Sequence, residues 1–229
     1  VLRSGTLLNI VLIVPDDMPL PFTTATNTLP ADIHAMRAAF SGWDPRLTKL
    51  LGLCTSSTKW RLTIRPPLNP SWSHPSGAFT ILGDAAHAAL PYLASGAGMG
   101  FEDGHVLGLC LSRISSKDNA EKRKALDVYE RCRRLRTEKV VESGNVQQML
   151  YHLRDGPEQR ERDRKLHAFG ELNGHGRVEE KDYETKGLTV GDDPLAWRWG
   201  GLGRWLLVYD CEEEVERVWR EVDEESEMG

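Results

Sequence analysis

Along this chain the apolar positions change period several times, and each change predicts an element. Residues 6–14, from Thr6 to Val14, are rich in β-branched side chains and stop at Pro15-Asp16-Asp17, which predicts a strand. Trp60-Arg61-Leu62-Thr63-Ile64-Arg65 alternates apolar with polar, the pattern of a strand with one covered face, and Pro66-Pro67 ends it. The apolar run 78–82 reads as a buried strand. The Pro- and Thr-rich stretch 15–30 reads as a connector. Residues 66–77 hold four prolines and Trp72, and so predict a loop lying on the surface of a core.

Helical spacing takes over elsewhere. Ile33, Met36, Arg37 and Phe40 repeat at helical intervals until Gly42-Trp43-Asp44-Pro45, where the residue before proline leaves the α region. A second helix runs from Pro45 through Leu53, with proline where a missing N–H costs nothing. Phe101, Val106, Leu107, Cys110, Leu111 and Ile114 predict a helix with a broad buried face, and a longer helix follows from Asn119 to Leu153. In the long helix Ala125, Tyr129, Cys132, Leu135, Val140, Val146 and Leu150 share one side. Asp127 with Arg131 and Glu130 with Arg134 pair at i,i+4 on the other. The arginines 131, 133, 134 and 136 read as a solvated, internally paired face rather than a phosphate or nucleic-acid patch. Asp155, with Pro157 and Glu158, predicts the cap of another helix, and Asp210 with Glu213 that of a last one striped by Val215, Val218, Trp219 and Val222. Residues 170–195 lack periodicity and predict loop. Trp197, Trp199, Trp205 and residues 206–209 form a local apolar cluster.

Composition narrows the class. With 229 residues, 40% hydrophobic and 28% charged, the chain suits one large or two small globular domains. A net charge of −5 gives no reason to expect nucleic acid or an anionic membrane as partner. The apolar run 7–14 falls far short of the ~20 residues of a membrane span. Cys54, Cys110, Cys132 and Cys211 form no C-x-x-C pair, so neither a zinc site nor a disulfide scaffold is indicated and a reducing, cytoplasmic setting is expected.

Candidate chemistry concentrates in Thr80 to Gly104. An apolar run ends in Gly83-Asp84, Pro91 follows, and Gly96, Gly98 and Gly100 open a helical pattern with Glu102-Asp103 in its first turn. Ligands of open α/β sheets sit beyond the carboxyl ends of strands, where Asp84 falls, and a ligand hydroxyl is its natural partner. The glycines let backbone N–H groups approach a ligand at the positive end of a helix. They would equally allow tight helix–strand packing, and both readings stand on the sequence. The cluster is no dinucleotide fingerprint, because G-x-G-x-x-G needs glycine where Phe101 stands. It is no nucleophile elbow, because Leu93 occupies the required glycine position. Asp84, His87, Asp103 and His105 are metal-ligand types, but their spacing matches no zinc or two-metal signature. His87 reads as a structural hydrogen-bonding group.

Leu82-Gly83-Asp84-Ala85-Ala86-His87, Pro91-Tyr92, Gly96-Ala97-Gly98 and Glu102-Asp103-Gly104 resemble the second flavin-contacting motif of the FAD-dependent aromatic hydroxylases, particularly fungal salicylate-hydroxylase-like monooxygenases. Residues 42–45, 59–62, 129–136, 155–159 and 162–163 resemble the same family in the same order. The resemblance implies an α/β fold and FAD as cofactor. Asp84 would hold the ribityl chain, Pro91 would lie beside the isoalloxazine, and N–H groups of Gly96, Ala97 and Gly98 would face the flavin N1/O2 edge. It further implies reduction by NAD(P)H, a flavin C4a-hydroperoxide, and transfer of one oxygen atom from O2 to a small aromatic substrate, with strands 6–14 and 60–65 in the covering sheet. Ser95 departs from the usual glutamine, and Gly98 and Gly100 stand where alanine is commoner.

Neither a G-x-G-x-x-G unit nor the Asp-Gly motif of the middle segment occurs, so the chain reads as the C-terminal portion of such an enzyme, expected to bind FAD weakly or not at all by itself. The expected division is 1–77 as part of the substrate sheet, 78–153 as part of the FAD domain, and 154–229 as a helical extension. The competing reading is a non-catalytic remnant acting through protein–protein contact.

Overall fold

A computed structural model describes residues 3–17, 28–116, 118–173, 189, 193–195 and 202–228. The chain divides into two compact units, Val1–Leu62 and Thr63–Gly229.

In the first unit, β1 (Thr28–Pro30) pairs antiparallel with β2 (Thr58–Trp60), Leu29 opposite Lys59. Helix α1 (Ile33–Ala39) begins at Asp32, whose carboxylate accepts from His34 N at 2.8 Å, and α2 (Pro45–Gly52) begins at Asp44 with Pro45 in its first turn. Arg37 donates to the carbonyls of Leu51, Gly52 and Cys54, satisfying the exposed end of α2. Residues 8–17 do not form the expected strand, and β2 stops at Trp60 instead of running to Arg65. β-branched composition favours extended backbone, but a strand exists only where a neighbour completes its hydrogen bonds.

The second unit is helical: α3 (Asp84–His87), α4 (Gly96–Leu111), α5 (Asn119–Tyr151), α6 (Pro157–Asn173), α7 (Leu202–Leu207) and α8 (Cys211–Met228). The run 78–82 is not a ladder strand, and a single antiparallel bridge joins Ser73 to Thr80. Helix α5 is the spine. Its Ala125, Val128, Tyr129 and Cys132 pack with Val106 and Cys110 of α4 and with Val215, Val218 and Val222 of α8. The stripe on α8 therefore docks as its spacing predicts, and Asp210 caps the helix by accepting from Glu212 N and Glu213 N at 2.9 and 3.0 Å. In α6 the Gly156 carbonyl accepts from Arg160 N at 3.0 Å, which puts the cap at Gly156 rather than Asp155. Trp72 is buried, with Tyr129 and His87 at ring distances of 6.0 and 5.5 Å. The prolines around it supply few donors, and Glu130 and Arg134 of α5 take up the local backbone: Trp72 N donates to Glu130 at 3.0 Å and Arg134 donates to Leu68 O at 2.6 Å.

Several side chains expected in the core are outside it: Phe101, Leu111, Leu135 and Val146 are exposed. Asp103, Arg133, Arg136 and Gln147 are buried instead. The expected loop 170–195 falls largely outside the described residues, as do Trp197 and Trp199. Among the described residues no helix is long and apolar enough to cross a membrane.

Candidate functional site

The turn 83–104 is built by backbone geometry first. Gly83 has φ 59° and ψ −143°, a region that side-chain-bearing residues rarely enter, and its carbonyl accepts from Ala86 N and His87 N at 2.8 and 2.9 Å to start α3. Asp84 in the first turn of α3 is exposed. Pro91 is also exposed and opens a single 3-10 turn through Leu93, which ends at Ala94 in the left-handed region, φ 49°. Tyr92 fastens that turn to the end of α5: its hydroxyl lies 2.8 Å from His152 Nε2, and its ring lies 6.0 Å from that of Tyr151.

Ser95 stands at the N-cap of α4, yet its hydroxyl donates to Leu93 O at 2.8 Å and makes no cap bond. The first N–H groups of α4 therefore lack a side-chain acceptor at the cap. Ala97 and Gly98 are exposed and Gly96 is partly so. A Cβ placed on Gly96, Gly98 or Gly100 would meet nothing within 4 Å. Tight packing among the described residues thus does not account for these glycines. This donor set, with an exposed carboxylate on the preceding turn, fits the anionic edge and the hydroxylated side chain of a flavin.

Behind this surface lies a buried charge network that the sequence does not announce. Glu102 and Asp103 fall in the second turn of α4, not the first. Asp103 Oδ2 accepts from Gly83 N at 2.8 Å and is 2.6 Å from His87 Nε2, while Oδ1 accepts from Arg133 Nε at 2.7 Å. Arg133 also donates to Glu102 at 2.7 Å and Met99 O at 3.3 Å. Arg136 grips Glu102 with two bonds of 2.8 and 2.7 Å, donates to Leu206 O at 2.9 Å, and lies 4.1 Å over the Tyr209 ring. Burial by itself would raise both carboxyls, but hydrogen bonds from His87 and Arg133 to Asp103, and from Arg136 to Glu102, hold both below their ordinary values. Arg133 is pushed upward against its own burial by the Asp103 hydrogen bond.

The expected solvated arginine face is accordingly wrong for two of its four members. Arg131 pairs with Asp127 at 2.8 Å and Arg134 pairs with Glu130, as the i,i+4 spacing predicts. Arg133 and Arg136, however, lie on the buried side of α5, drawn in by the acids of α4. The detectable signal is that acid pair: two carboxylates in an apolar helix demand buried cations. His87 does serve as a hydrogen-bonding group of the turn. Asp103 and His105 diverge, since Asp103 is buried whereas His105 is exposed and 3.9 Å from Glu212. Among the described residues no three His, Cys, Asp or Glu side chains gather to hold a metal.

Residues 72–144 match the family model of an FAD binding domain, FAD_binding_3. FAD-dependent monooxygenase OpS4 of Beauveria bassiana (strain ARSEF 2860) is 42% identical over 164 residues, covering 72% of this chain and 37% of that protein. 3-Hydroxybenzoate 6-hydroxylase 2 of Aquipseudomonas alcaligenes is 42% identical over 108 residues, 47% of this chain and 32% of that protein. A salicylate hydroxylase solved as a substrate complex superposes with a TM-score of 0.59 at 25% identity, over 90% of this chain and 41% of that one. Fold and motif together define a flavoprotein of mixed α/β type. The chain is thus similar to FAD-dependent aromatic hydroxylases, and it spans less than half the length of these relatives.

Proposed function

We propose that this chain supplies the flavin-ring side of the FAD site of a monooxygenase that uses NAD(P)H and O2 to hydroxylate a phenolic or other small aromatic substrate. The observation that carries this is the start of α4, uncapped by Ser95 and open over Gly96 and Gly98, beside the exposed Asp84. FAD, when bound, supplies hydride acceptance and oxygen activation. Asp84 accepts hydrogen bonds from the ribityl hydroxyls. The N–H groups of Gly96, Ala97 and Gly98 stabilise negative charge on the N1/O2 edge, as preorganised donors stabilise an oxyanion. Pro91 gives the ring a rigid apolar neighbour, held by the Tyr92–His152 contact. Asp103 bonds Gly83 N–H and the α5 guanidinium at once, and so keeps the Asp84 turn and the glycine helix in fixed register. In this reading residues 1–77 contribute to the substrate layer, 78–153 to the flavin domain and 154–229 to a helical extension of a cytoplasmic enzyme.

The test is titration of FAD, followed by flavin fluorescence, into the chain joined to a dinucleotide-binding β-α-β unit. Asp84→Ala should weaken binding about tenfold or more, the loss of a charged hydrogen bond, with the helical circular dichroism unchanged. Unaltered flavin affinity would remove Asp84 from the site.

A further inference from the structure

Helix α5 buries one side against α4 and α8 and leaves another uncovered among the described residues. On that side Leu135, Lys139, Glu142, Val146 and Met149 are all exposed. They recur at alternating intervals of four and three, so they form one straight stripe, the spacing of a coiled-coil seam. Leu135 is 77% exposed and Val146 45%, apolar side chains that this chain leaves in water. One turn before the stripe stands Arg131, already committed to Asp127 and Glu225 at 2.8 and 2.9 Å.

The charges in the middle of the stripe are not answered in the same way. Glu142 makes no ion pair or hydrogen bond among the described residues. Lys139 makes no ion pair there either, and its ammonium lies 4.5 Å from the centroid of the Trp205 ring. The two stand three positions apart on one face, yet they do not pair with each other. Glu138, beside the stripe, is answered within the chain by Arg134 at 3.8 Å.

The order of the four central positions is self-complementary. Leu135 and Val146, and likewise Lys139 and Glu142, are centred on the same point, between Val140 and Val141. A two-fold axis through that point runs α5 antiparallel to α5 of a second copy. Leu135 then meets Val146 of the second copy and Lys139 meets its Glu142, each contact occurring twice. A parallel pairing would set lysine on lysine and glutamate on glutamate, which costs affinity.

We propose that this stripe is a homodimer interface, in which two copies of the chain join through antiparallel α5 helices, with apolar pairs flanking two ion pairs. From Leu135 to Val146 the seam is about 17 Å long at ~1.5 Å per residue, short for a permanent interface, so the dimer is reversible. None of Asp84, Pro91, Gly96, Ala97 and Gly98 lies on the stripe, and the inference stands apart from the flavin reading.

The test is analytical ultracentrifugation of the 229-residue chain over a range of about 1 μM to 1 mM. A monomer–dimer equilibrium is expected. Lys139→Glu and Glu142→Lys each set like charges opposite one another and should weaken it at least about tenfold, whereas the double reversal restores the pairing. Net charge cannot mimic this result. The chain carries −5, so general repulsion alone would make Glu142→Lys associate more tightly. Leu135→Ser should weaken the dimer without altering any charge. All three positions are exposed, and helical circular dichroism checks that each variant is folded. A chain that stays monomeric throughout would overturn the proposal. So would a dimer indifferent to either single reversal, or a double reversal that associates no better than the single ones.

Discussion

Arg133 Nε donates to Asp103 Oδ1 at 2.7 Å, and neither side chain has any exposed surface. The pair closes the α4–α5 contact with charge where neighbouring positions use Val106 and Val128. Removing one partner strands the other in a medium that cannot solvate it. Arg133→Met should therefore cost about 3–5 kcal/mol of folding stability, read from urea unfolding. A loss below about 1 kcal/mol, the scale of an exposed pair, would show that water reaches the site.

Acid should expose the same network. The carboxyls of Glu102 and Asp103 are held below their ordinary values in the folded state. Their contribution to stability is thus complete above the unfolded carboxyl range and disappears as pH falls through the folded values. Unfolding free energy should decline from about pH 5 downward, and Glu102→Gln should flatten that decline. Parallel profiles for the two proteins would contradict the assignment.

Two glycine substitutions should act in opposite directions. Neither Gly83 nor Gly98 has an atom within 4 Å of an added Cβ, so sterics with neighbours do not enter. Gly83→Ala forces alanine to φ 59°, ψ −143°, and should destabilise by about 1–3 kcal/mol. Gly98→Ala replaces a helical glycine and should stabilise by about 0.5–1 kcal/mol, while placing a methyl over the proposed flavin edge and lowering FAD affinity. Thermal unfolding and flavin titration of both variants provide the check.

Burial pushes the thiols of Cys110 and Cys132 up to about 12. At pH 8 neither should react with iodoacetamide in the native protein, whereas the partly exposed Cys54 should. Mass spectrometry of tryptic peptides distinguishes them, and urea should equalise all four.

Helices were the legible part of this chain, because a helix carries its hydrogen bonds within itself and its spacing shows the buried face. Asp210 marks a helix start in the sequence and in the structure alike, and Pro45 opens the second helix in both. Strands 6–14 and 78–82 were not legible in the same way, since extended backbone becomes a strand only through a partner that local pattern does not specify. In the turn, glycine spacing pointed to the open helix start, but the reason Gly83 and His87 hold their places is Asp103, answered by Arg133 thirty positions later. Hydrophobic periodicity scores an arginine as outside, and only the demand of a buried acid overrides that score.

The grip of Arg136 on Leu206 O and on the Tyr209 ring has a consequence for the far end of the chain. Arg136 also holds Glu102, the neighbour of Asp103, so residues 205–209 cover the charges that set the Gly83–Asp84 turn. Trimming them would let water reach Arg133 and Arg136, and damage at a terminus remote in sequence would be felt first as a loosened cofactor turn.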